Sequence, residues 1–162
     1  MATAIRIPAS TSRLASKSRR LPGIARLAML LEIFLGIGAL FGGSQFILAP
    51  DGHLLGLPLK MLAGTPFHSF LVPGLLLFTL VGVAPMLAAV ITARRGAIGP
   101  LAALAVGVTL MGWITVEMVI FAGLTSLFWA FYLVLGTVIA AVGVTWTRTN
   151  SARSGGWTRG GL

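Results

Sequence analysis

Four uninterrupted apolar stretches alternate along the chain with short polar segments. They run from about Ile24 to Leu48, Ser69 to Ala93, Ile98 to Ala122 and Leu124 to Thr145. A helix needs roughly 20 predominantly apolar residues to cross about 30 Å of hydrocarbon, and each stretch meets that length. Barrel strands alternate apolar and polar positions over about ten residues, and these stretches do not alternate. Within lipid a segment must satisfy its own backbone N–H and C=O groups. The pattern therefore predicts an all-α fold, a four-helix transmembrane bundle spanning residues 24–146. No stretch carries a polar stripe, and a helix surrounded by lipid and other helices needs none.

Polar positions between the stretches set the topology. Arg6, Arg13, Lys17, Arg19, Arg20 and Arg26 precede or open the first stretch. Arg94 and Arg95 link the second and third, and Arg148, Arg153 and Arg159 follow the fourth. Lys60 alone lies between the first and second. Cytoplasmic segments carry the excess of Lys and Arg, so the expectation is a multi-pass protein of the inner (plasma) membrane with both termini cytoplasmic. Residues 1–23 read as a basic cytoplasmic tail, and 147–162, rich in Gly and Ser, as a flexible one. The first stretch exceeds a signal-peptide core in length and reads as an uncleaved anchor.

Between the first two stretches, Pro50-Asp51-Gly52 is a turn signal. The following Leu54–Leu62 segment is too apolar for a free aqueous loop and predicts a short helix or re-entrant piece at the membrane surface. Thr65-Pro66 suits a helix start, with Thr as cap and Pro in the first turn. That would place His68 in the first turn of the second helix. Pro85 lies deep enough in that helix to kink it.

Composition narrows the function classes. The 162 residues are 57% hydrophobic and 9% charged, against about 25% charged for a soluble domain. The formal net charge is +9. In a membrane chain this balance assigns basic segments to anionic headgroups rather than to specific nucleic-acid binding. There is no Cys, hence no disulfide framework and no thiolate metal site. Two His and scattered acids predict neither a metal site nor a cofactor. Nucleotide-binding and hydrolase motifs are absent from the sequence, and no catalytic residue is assigned.

Small residues mark close helix contacts. The first stretch holds Gly36, Gly38, Ala39, Gly42 and Gly43, with Gly38 and Gly42 at GxxxG spacing, and the fourth holds Gly136, Ala140 and Gly143. Polar groups inside the stretches are the functional candidates, because an acid at the bilayer centre costs about 2.5–3.5 kcal/mol on insertion scales. Glu32 shares a helical face with Gly36, Ala39 and Gly43. Arg94 and Arg95 are its expected partners in a packing ion pair. Glu117, Gln45 and His68 fall at similar depth near the opposite end and form a second candidate cluster. Trp113, Trp129, Tyr132 and Trp146 read as interface anchors.

The motifs Pro50-Asp51-Gly52, Leu55-Gly56-Leu57-Pro58, Gly64-Thr65-Pro66-Phe67, Val72-Pro73-Gly74 and Gly112-Trp113-Ile114 with Glu117 resemble those of a group of uncharacterised small bacterial four-helix integral membrane proteins. The likeness spans about Leu27 to Val144 and implies fold and location, not activity. A weaker likeness is to small multidrug-resistance transporters, whose first-helix acid Glu32 would match. The strong charge bias, the long loop and the acid in the third stretch depart from that pattern. The sequence thus reads as a small structural, accessory-subunit or lipid-interacting membrane protein, in the bilayer alone, as a homo-oligomer or within a larger membrane complex. The alternative is a proton-coupled transporter of small hydrophobic or cationic compounds using Glu32.

Overall fold

The computed structural model describes residues 21–94, 98–120 and 127–154. Four helices, Gly23–Leu48, Leu71–Ala93, Gly99–Ile120 and Leu127–Ser154, supply four segments long and apolar enough to span a membrane. No strand occurs among the described residues. The protein is a four-helix integral membrane protein.

Two antiparallel helix pairs build the bundle, the first helix with the second and the third with the fourth. Lipid is as apolar as Leu, so nothing drives large side chains inward. Association depends instead on backbone proximity and packing. Accordingly, Ala25, Ala28, Leu35, Gly36, Ala39 and Gly43 form the buried face of the first helix. Leu30, Phe34, Ile37 and Phe41 point outward. Between the pairs lies a core of Leu35, Ala39, Val81, Ala88, Val106, Leu110, Ile114, Leu135 and Ile139.

The tightest approaches fall on glycines. A Cβ on Gly43 would lie 2.8 Å from the backbone N of Phe78, and one on Gly36 2.8 Å from the Met86 side chain. Between the third and fourth helices, a Cβ on Gly107 would lie 2.5 Å from the Ala140 N, and one on Gly143 2.6 Å from the Leu104 N. The GxxxG pair expected to make the close contact does not. Gly38 and Gly42 have only Tyr132 and Leu77 atoms near their Cβ positions, at 3.8 and 3.7 Å. The helix turns seven residues apart, at Gly36 and Gly43, to its neighbour, while Gly38 and Gly42 border an open space.

The second helix widens in its middle. Leu77–Val83 is a π-helical segment, and the Ala84 N–H donates to the Thr79 carbonyl five residues back. Pro85 follows immediately and is buried. Its ring would press on the carbonyl of Val81 in a regular helix, and the π-helical turn interrupts that regular register just before it. A π-bulge thus accompanies the proline where a kink was expected.

Two boundaries differ from the sequence reading. The second helix begins at Leu71, not near Phe67. Thr65 caps a loop turn instead, donating to the Leu62 carbonyl at 2.8 Å and accepting from the Phe67 N–H at 3.2 Å. The fourth helix continues through Thr147 to Ser154, so the first half of the expected flexible tail is helical. Thr147 and Thr149 fold their hydroxyls onto carbonyls three residues back, which keeps this polar turn within the helix.

The loop joining the first two helices carries two single 3₁₀ turns, His53–Leu55 and Leu59–Leu62. Gly52, at φ 81°, lets its carbonyl accept from both Leu55 and Leu57. The Phe70 N–H donates to the Pro50 carbonyl at 2.8 Å, and Phe70 stacks on Phe46 with ring centroids 5.1 Å apart. These contacts fold the loop back over one end of the bundle.

Candidate functional site

Where Gly38 and Gly42 leave room, a cavity of about 790 Å³ opens at the loop end of the bundle. All four helices contribute. Gly42 and Phe46 come from the first, Leu77 and Val81 from the widened turn of the second, Trp113 and Glu117 from the third, and Trp129 and Tyr132 from the fourth. Leu55, Leu57, Met61 and Phe67 of the loop close the top. The apolar Leu54–Leu62 segment predicted at the membrane surface thus serves as a lid over a space within the bundle. Its volume lies within the range of roughly 300–1,000 Å³ for small-molecule sites.

Glu117 is the acid of this cavity. Its polar neighbours are the Trp113 and Trp129 side chains, with Tyr132 close by. The Trp113 indole N–H is buried beside the Glu117 carboxyl without completing a well-aligned hydrogen bond among the described residues. Phe128 and Phe131 pack on Tyr132, with ring centroids at 4.5 and 5.1 Å. No ion pair to Glu117 forms among the described residues, whose sole ion pair joins His53 and Asp51. Neither Gln45 nor His68 lines the cavity. Gln45 is half-buried, and His68 is exposed in the segment before the second helix. The three-residue cluster expected from depth alone is therefore not assembled. What replaces it is an acid ringed by aromatic side chains, which the sequence reading had assigned to interface anchoring. Trp113, four residues before Glu117 on the same helix face, was the available signal.

The other acid occupies a different environment. Glu32 is fully buried on the packed face of the first helix, and neither carboxyl oxygen has a hydrogen-bond partner among the described residues. It does not line the large cavity. Arg94 is exposed and makes no ion pair with it, while Arg95 lies outside the described residues. Thr92, on the second helix, is equally buried, and its hydroxyl also lacks a partner. Nothing in the sequence distinguished Thr92 from other threonines. Nearby, Trp146 is buried against Ala25, Ala28 and Ala103, so this ring packs within the bundle.

In the loop, Asp51 Oδ1 lies 2.6 Å from His53 Nδ1 and accepts from the His53 backbone N–H at 3.3 Å. The side-chain hydrogen bond, seconded by the backbone one, holds the Asp51 carboxyl below its ordinary value. The pair is exposed and steadies the turn. Among the described residues no three His, Cys, Asp or Glu converge as metal ligands would. Comparisons with protein-family models, with curated proteins and with solved structures gave no match to this chain.

Proposed function

We propose that this protein is a lipid-interacting membrane protein that receives an apolar chain in the cavity at its loop end. The observation that carries the reading is the cavity itself: about 790 Å³, drawn from four helices and a lid, and lined almost wholly by apolar and aromatic side chains. A void of this size lined by hydrocarbon loses packing contacts unless something fills it, and an acyl chain from the surrounding bilayer is the chemically matched occupant. In this reading both termini are cytoplasmic and the lidded cavity lies in the outer leaflet, following the Lys and Arg distribution.

Proton-coupled transport through Glu32 has less support. That mechanism requires water to reach the carboxyl from each side in turn. Glu32 has no exposed surface and is absent from the cavity wall.

Bromine-labelled dodecanol tests the proposal, since bromine quenches tryptophan on contact. In nanodiscs, quenching of Trp113 and Trp129 is expected to saturate and to be reversed by unlabelled dodecanol. Gly42→Leu, which fills the space beside Leu77, should weaken binding about tenfold, roughly 1.4 kcal/mol. Quenching that rises without saturation, resists competition and is identical in Gly42→Leu would sink the reading.

A further inference from the structure

The cavity is largely apolar, and its one acid among the described residues stands where Glu117 meets the lining. That place has a defined chemistry. The carboxyl can accept up to four hydrogen bonds, and its polar neighbours among the described residues are indoles and a phenol. Among the described residues no Lys, Arg or His lines the cavity. The link at residues 121–126 reads Phe-Ala-Gly-Leu-Thr-Ser and carries no basic side chain either. Lys60, the basic loop residue, is exposed and outside the cavity wall. Among the described residues the chain thus provides an acid in an aromatic-lined, largely apolar chamber and brings no cation to the chamber wall.

We infer that Glu117 receives the ammonium group of a single-chain amphiphile whose hydrocarbon tail occupies the rest of the cavity. This rests on the proposed chain-binding role and specifies the head group. Charge complementarity selects the class. An ammonium offers three N–H donors to a carboxylate, in charge-assisted bonds roughly twice as strong as neutral ones. Trp113, Trp129 and Tyr132 add ring faces of the kind that attract cations. A phosphate or carboxylate head would meet the acid with like charge and, among the described residues of the wall, no basic side chain to offset it. A hydroxyl head would give one weaker bond.

Dodecylamine and 1-dodecanol share a chain and differ in the head group, so their competition against the bromine-labelled alcohol isolates the contribution of Glu117. The measurement is made in zwitterionic nanodiscs, with partitioning into empty discs subtracted. Dodecylamine is expected to bind about tenfold or more tighter than dodecanol. Glu117→Gln should erase that preference by weakening dodecylamine far more than dodecanol, because the Gln carbonyl can still accept the single hydrogen bond of the alcohol. Equal binding of amine and alcohol by the wild-type protein would overturn the head-group assignment and leave the chain-binding proposal standing. So would an amine preference that survives in Glu117→Gln. If neither compound displaces the probe, both proposals fall. Should Glu117→Gln not fold, as judged by its melting profile, the wild-type comparison of amine with alcohol decides the matter alone.

Discussion

Glu32 and Glu117 are both acids within apolar helices, yet their surroundings assign them opposite characters. Glu117 faces a chamber that a ligand can enter, whereas Glu32 is fully buried on the packed helix face that also carries Ala28, Leu35, Gly36 and Ala39. A buried polar group without a partner costs about 1–3 kcal/mol. Replacing Glu32 by Leu removes that cost at similar volume, so thermal stability is expected to rise by about 1–3 kcal/mol. A drop in melting temperature would instead reveal a partner for the carboxyl, such as the Arg95 pairing expected from the sequence. The same logic separates Thr92 from the other threonines. Thr79, Thr115, Thr137 and Thr145 return their hydroxyls to carbonyls four residues back, whereas Thr92 does not.

Between elements, small residues decide how near two helices lie and where they part. Gly107, Gly136 and Gly143 bring the third and fourth helices to backbone contact. Gly107→Ala would place a methyl 2.5 Å from the Ala140 N, against an atom that cannot rotate aside. Overpacking of this kind costs about 1–3 kcal/mol, and a melting temperature unchanged in Gly107→Ala would refute the tight seam. Gly42 is expected to behave differently, because its Cβ position looks into the cavity and a larger side chain there has space. The π-helical turn before Pro85 belongs to the same scale. It carries Leu77 and Val81, and both line the chamber.

At the scale of the whole molecule, each end of the bundle has its own chemistry. The chamber and its lid occupy the end with Lys60 and the Asp51–His53 turn, while Arg26, Arg94 and Arg148 mark the other. Reporter fusions at the C-terminus and within the loop at 49–67 are expected to report opposite sides, with the C-terminus cytoplasmic. A periplasmic C-terminal reporter would invert the proposed orientation and place the cavity in the inner leaflet.

Sequence alone determined the four helices, because apolar length against bilayer thickness leaves no other way to satisfy the backbone. It also marked the acids, since a carboxyl inside an apolar run stands out whatever surrounds it. Tertiary structure decided which face of each helix turns inward. The helices are apolar all round, so burial of Ala25 and exposure of Phe34 reflect fit between surfaces and not a difference in hydrophobicity. For the same reason the sequence could place Glu117, Gln45 and His68 at one depth without showing that Glu117 alone faces the chamber. Depth follows from counting residues along a helix. Which side chains share a cavity depends on helix rotation, on the widened turn at Leu77–Val83 and on a loop that folds back through the Phe70–Pro50 bond, and those are properties of the assembled bundle.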